Sequence, residues 1–218
     1  MASFSIQPGF ENSREGLAVI QYCLQHEEAT YRFLEKPIQG MIPIGSVEYC
    51  EHLLPDYGDQ VVNFYPIFLS DWRRRDIYLK KKIFVKGCTK WKADNNTYVS
   101  EDYVYVSDHI KFQNEWRLYV ANGQVLAAGW YQGDNEEAPL PKIDIVWPVE
   151  FSGAVDIGTT DLGSVALVEA HPPYACGWYG DDLETYAIWQ IAAWFSFLKQ
   201  HTKWRFQPGY TATAFDRW

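Results

Sequence analysis

The chain has 218 residues, of which 47% are hydrophobic and 22% charged, and carries a formal net charge of -9. That length and apolar content suit one sizeable core or two small lobes sharing an interface, and exclude a disordered tail or a fibrous protein. The acidic balance argues against a surface built to neutralise nucleic-acid phosphates. The longest apolar runs, such as "IAAWFSFL" (Ile191 to Leu198), fall far short of the roughly 20 residues that a membrane span needs. The opening "MASFSIQPGF" lacks the charged start and apolar run of a secretory signal. Cys23, Cys50, Cys88 and Cys176 are scattered with no CxxC pair, so they form neither a zinc framework nor an obvious disulfide set, and a reducing cytoplasm is the expected home.

In chain order, a short extended start precedes a helix in "SREGLAVIQYCLQHEEATYRFL". Leu17, Ile20, Leu24 and Tyr31 recur there at near-helical spacing, and Ser13 is placed to cap the start. "GMIPIGSVEYCEHLLPDYG" reads as a strand, a Gly-Ser turn and a helix from about Ser46 that Pro55 and Gly58 end. The pattern turns to β from Ile77 to Tyr105, with "KADNNT" as a turn. Asn122-Gly123 then tips an alternating pair in "EWRLYVANGQVLAAGWYQ", a strong hairpin signal. Pro139, Pro141 and Pro148 mark a loop, a second hairpin follows in "AVDIGTTDLGSVALVEA", and "LETYAIWQIAAWFSFLKQH" predicts a tryptophan-rich helix packed on the sheet. The fold class is α+β. A small N-terminal α/β lobe (1–75) precedes a β-rich region and a C-terminal antiparallel sheet backed by that helix (76–218).

Two stretches carry chemistry. "DWRRRDIYLKKKIFVKGCTKWK" (Asp71 to Lys92) concentrates the positive charge. Such a run is commonly a solvated face, but a strand through "IFV" would put Lys82 and Lys86 on one side with Phe84, an arrangement that an anion stabilises. In the second hairpin, Asp156 and Glu169 sit in paired strands where apolar residues would be usual, and His171 shares a strand face with Glu169. Two carboxylates brought together repel unless a cation joins them, and a magnesium ion with one or two carboxylates and substrate phosphates resolves the conflict. Imidazole is a less usual magnesium ligand, which leaves His171 as ligand, donor or proton acceptor.

In this order, "FVKG", "EWRLYVANGQVLAAGWY", "AVDIGTTDLG" and "VALVEAHPP" resemble the ATP-grasp superfamily, and most closely the small phage and bacterial clade named for one arginine and two lysines. The resemblance spans about 83–180, and the N-terminal lobe matches the family's preceding α/β domain. It implies that Lys86 holds nucleotide phosphates with Lys82, Lys90 or Lys92 as a second contact, and that Val104, Tyr105 and Val106 line the adenine pocket. By the same resemblance Arg117 is the catalytic arginine with Glu115 two residues before it, and Asp156, Glu169 and His171 hold magnesium. His171 stands where the family has Asn, and no glycine-rich phosphate loop is legible between Lys86 and Tyr98. ATP and Mg2+ are thus the implied cofactors, and small-molecule or peptide carboxylates and amines the implied substrates, with no nucleic acid or membrane partner.

The implied reaction is attack of a carboxylate on the γ-phosphate, followed by capture of the acylphosphate by an amine or related nucleophile. Two other classes compete: a nucleotide-, peptide- or glycan-binding module on a degenerate scaffold, and an accessory protein whose ten tryptophans serve a protein or carbohydrate partner. Cys176 near His171 could imitate a thiol nucleophile.

Overall fold

A computed structural model of the protein describes residues 1–53, 72–74, 83–87, 103–108, 111–143, 149 and 151–200. Strand β1 (Ala2–Ile6) leads to helix α1 (Arg14–Gln25), β2 (Ala29–Phe33), β3 (Ile42–Ile44) and the short α2 (Val47–Glu51). Ser13 caps α1 by accepting from the Gly16 N–H, and Ser46 caps α2 by accepting from the Tyr49 N–H. Both starts follow the rule that a short hydroxyl side chain satisfies an otherwise orphaned amide. The three strands are parallel in the order β2-β1-β3, so the chain leaves β1 to one side and returns on the other.

The helical spacing predicted for Tyr31 does not hold. The His26 N–H bonds to the Tyr22 carbonyl and His26 turns extended, ending α1 at Gln25. Ala29–Phe33 pairs along β1 instead, where ladder bonds outweigh local periodicity. Leu17 and Leu24 are exposed, and the buried side of α1 is the small-residue face of Gly16, Ala18 and Val19. α2 stops at Glu51; Pro55, Gly58 and the "KADNNT" turn lie outside the described residues.

A second, antiparallel sheet joins β4 (Trp72–Arg74), β5 (Ile83–Gly87) and β6 (Tyr103–Asp108) in the order β4-β6-β5. The third holds β7 (Phe112–Ala121), β8 (Gln124–Gly133), β9 (Gly153–Thr160) and β10 (Val165–His171), in the order β10-β9-β7-β8. Its β7–β8 turn is the expected Asn122-Gly123, with φ of 50° and 73°, the left-handed pair that a tight hairpin requires. α3 (Leu183–Gln200) begins where the Asp182 carboxylate accepts from the backbone N–H of Glu184 and Thr185.

Alternation divides the third sheet into two buried faces. Trp116, Leu118 and Val120 of β7 pack with Phe151, Val155, Ile157 and Ala170 in one core. Tyr119, Ala121 and Ala154 face the other way, into a larger core with Trp189 and Trp194 of α3 and Phe4, Ile6 and Ile42 of the N-terminal sheet. The Trp189 indole N–H donates to the Val120 carbonyl at 3.0 Å, which settles the one polar atom that this large ring brings into the core.

Candidate functional site

The site grows from the second of those faces. Across the sheet, Gly129 on β8 stands opposite Arg117 on β7, Arg117 opposite Asp156 on β9, and Asp156 opposite Glu169 on β10. Direct opposition on a pleated sheet brings Cβ atoms to about 4.5–5.5 Å, within reach of a side-chain bond. Arg117 uses it: Nε donates to Asp156 Oδ1 and Nη2 to Oδ2, each at 2.7 Å. His171 Nε2 lies 3.4 Å from both Asp156 Oδ2 and Arg117 Nη2.

Irregularities in two strands build this cluster. In β10 the register steps from Leu167 opposite Ile157 to Glu169 opposite Asp156, leaving Val168 as an extra residue. Regular pairing would set Val168 against Asp156; the bulge substitutes Glu169 and carries His171 to the site face, while Ala170 turns into the opposite core. In β8, Gln132 opposes Glu115 and Trp130 opposes Trp116, so Tyr131 is the extra residue. Its ring centroid lies 5.1 Å from the Arg117 guanidinium carbon. Tyr179, from the loop after β10, lies 5.3 Å from the same carbon, and the two rings meet edge to face at 4.9 Å.

Gly129 makes room for that loop. A Cβ there would lie 2.2 Å from the Tyr179 carbonyl group, closer than any real side chain comes. Tyr119, two residues beyond Arg117, anchors the loop at two points: its hydroxyl donates to the Gly177 carbonyl at 2.5 Å and accepts from the Tyr179 N–H at 2.9 Å. Trp178 is packed under the loop, its ring 4.4 Å from that of Tyr119.

The electrostatics follow from burial. Arg117 is 5% exposed and Asp156 0%. Burial alone would push the Asp156 pKa up, but the Arg117 fork and the His171 contact outweigh it and hold the carboxyl below its ordinary range. Burial likewise opposes the Arg117 charge, and the Asp156 bonds override it, raising its pKa. Both groups are ionised at neutral pH, as a bidentate pair in a water-poor place requires. Glu115, also buried, accepts from the Gln132 side-chain amide at 3.1 Å.

The other residues expected from the sequence are spread over the second sheet. Lys86 pairs with Tyr105 in the ladder, Val104 with Gly87 and Val106 with Val85; their side chains, and Lys82 altogether, lie outside the described part. The Glu169 side chain lies outside it too, and its place is given by its backbone register alone. Arg117 is not the exposed strand arginine that its type suggests by default. Sequence reasoning missed Tyr131, Tyr119 and the role of Gly129. A glycine inside the alternating strand "LAAGWYQ" was the available signal, since it marks a close backbone approach.

A family model described as an ATP-grasp domain, the second family of the clade named for one arginine and two lysines, matches residues 79–188. The chain belongs to the ATP-grasp family. Comparison with curated proteins finds no match. The ATP-grasp segment contains the whole row from Arg117 to His171 together with Lys86, and begins after the N-terminal parallel sheet. The α+β class read from the sequence holds, with helices and both parallel and antiparallel sheets. Membership in the ATP-grasp family supports ATP-dependent, ligase-type activity in general, and such domains generally use ATP and magnesium. Among the described residues, no helix is long and apolar enough to cross a membrane.

The donor chemistry fits magnesium in type. An ionised carboxylate offers about four lone-pair positions, and the Arg117 fork takes one on each Asp156 oxygen, leaving capacity for a hard cation. Among the described residues no three His, Cys, Asp or Glu side chains form a metal cluster. One or two carboxylates completed by phosphates and water remain the fit.

Proposed function

We propose that the chain is an ATP-dependent carboxylate–amine ligase that works through an acylphosphate. The observation that carries the reading is the buried Arg117–Asp156 pair, set in one ladder row with Glu169 inside the ATP-grasp segment. Asp156 and Glu169 would hold magnesium, which when bound neutralises phosphate charge and orients the phosphates for transfer. Lys86, and Lys82 beside it, would contact the triphosphate, and the backbone of Val104, Tyr105 and Val106 would frame the adenine.

In this reading Arg117 is the catalytic group. Asp156 occupies Nε and Nη2, which leaves Nη1 to donate to the substrate carboxylate and to the oxygens on which charge develops. Tyr131 and Tyr179 fix the guanidinium plane, so little reorganisation accompanies the step. The carboxylate oxygen attacks the γ-phosphorus and ADP leaves. The amine nitrogen then attacks the acyl carbon and phosphate departs with the bonding pair, while the nitrogen loses its proton. His171, in contact with both members of the pair, positions Asp156 rather than ligating metal.

A second reading has its own observation. The Arg117 fork is turned onto Asp156, within the sheet, as it would be in a scaffold that binds nucleotide but has lost its chemistry. Thermal unfolding with ATP, with added magnesium or with EDTA, in wild type and Glu169→Ala, separates the two. A ligand that binds only the folded state at ~100 times its Kd adds roughly 2.7 kcal/mol. A magnesium-dependent shift lost in the variant, followed by ADP release on screening acids with amines, supports the ligase. A shift indifferent to magnesium favours the binding module, and no shift under any condition sinks both.

A further inference from the structure

A cavity of about 250 Å³ opens between the N-terminal sheet and the loop that covers Arg117. It is lined by Gly45 and Ser46, just past β3, and by Phe10, Glu15, Val47 and Tyr186 among others. This is the carboxyl end of β1 and β3, where the strand order β2-β1-β3 reverses. In open parallel sheets, that reversal point is where the connections diverge and leave a crevice for ligands. The volume suits a molecule of roughly eight or nine non-hydrogen atoms, given ~30 Å³ for each water displaced.

The polar groups of this cavity define the ligand. One Glu15 oxygen accepts the Trp178 backbone N–H at 2.6 Å, which fixes the carboxylate in place, and Glu15 has no cationic partner among the described residues. Its neighbour Arg14 is directed elsewhere, donating to the Gly180 carbonyl at 2.7 Å. Tyr186 is 3% exposed and lines the same cavity. A half-buried carboxylate with no counterion among the described residues, in a cavity lined by aromatic and apolar side chains, is an arrangement that a cationic donor completes. The same carboxylate repels anions, which otherwise favour the start of a helix such as α1.

We infer that this cavity binds an organic ammonium with a compact apolar body, the charged nitrogen on Glu15 and the body against Phe10, Val47 and Tyr186. Its role as the site of the amine substrate rests on the ligase reading; the binding itself does not. The cavity adjoins the reacting centre, because the Gly177 carbonyl on its wall accepts from Tyr119, two residues from Arg117 on the same strand face.

Ligand-observed NMR on the full chain tests this with phenethylamine and its neutral isostere 2-phenylethanol. Phenethylamine is expected to bind saturably. Glu15→Gln, which keeps an oxygen for the Trp178 N–H, is expected to weaken it about tenfold or more while leaving the weak binding of the alcohol unchanged. Equal binding of amine and alcohol to the wild type, or unchanged amine affinity in a folded Glu15→Gln, overturns the assignment, as does no saturable amine binding. Specific amine binding without ADP release for any acid offered supports the cavity and sinks only the ligase reading. Amine-stimulated ADP release that is identical in Glu15→Gln does the reverse.

Discussion

Arg117 and Asp156 stand directly opposite each other on β7 and β9, both are buried, and both hydrogen bonds of their fork are 2.7 Å long. Removing either partner strands the other as a buried charge, which costs about 3–5 kcal/mol. Arg117→Ala and Asp156→Ala are each expected to lose that much in urea unfolding. The apolar double variant Arg117→Met with Asp156→Leu is expected to recover a large part of it, because it leaves no uncompensated charge. A double variant as unstable as the singles would show that packing, rather than charge, dominates here.

The same pair sets an acid dependence. Asp156 has its pKa depressed in the folded protein, so its contribution is complete above the unfolded value of roughly pH 4 and is lost as pH falls towards the folded value. Stability measured between pH 7 and pH 2 is therefore expected to fall less steeply in Asp156→Asn than in the wild type below about pH 4. Parallel curves would mean that Asp156 is not held ionised by Arg117.

Arg117→Lys keeps the charge but not the planar fork. If Arg117 holds the carboxylate, ADP release in the presence of an acid and an amine should drop by about two orders of magnitude, with the affinity for ATP little changed. Activity within a few-fold of wild type would remove Arg117 from the reaction.

Gly129 meets the loop backbone where a Cβ would clash at 2.2 Å, so Gly129→Ala must displace Tyr179. Loss of about 1–3 kcal/mol is expected, as for overpacking in general. Tyr179→Ala, which removes one ring from the guanidinium, should cost less, about 0.5–2 kcal/mol. Chemical denaturation of both variants tests that order, and the reverse order would mean that the loop yields easily.

Ala175 has φ of 52°, a left-handed conformation that costs a residue with a Cβ about 1–2 kcal/mol. Ala175→Gly is expected to stabilise the protein by up to about 1 kcal/mol, opposite in sign to the usual effect of this change. A loss of stability on thermal unfolding would show that the strain is offset by contacts of the methyl group.

Much of the local architecture was legible. The serine cap at Ser13, the helix start near Ser46, the Asn122-Gly123 turn and the hairpin from Val155 to His171 depend on neighbours a few residues apart, and they form as read. The placement of Tyr31 failed because the edge of β1, remote in sequence, recruited it into a strand. Which side of α1 is buried was not legible from its spacing, since the helix approaches α3 through small residues rather than through Leu17 and Leu24.

By itself, the sequence determined the order of the chemical motifs, the α+β class and the elements that carry Arg117, Asp156 and Glu169, because propensity, capping and turn chemistry act over short range. Only the tertiary structure decided which residues share the site. Side chains alternate with a period of two, so single extra residues at Val168 and Tyr131 change what faces Asp156 and Arg117, and no pattern within one strand reveals a register set by its partner. The loop held by Tyr119 over Gly129, and the cavity beside Glu15, are likewise products of segments far apart in the chain meeting across one core.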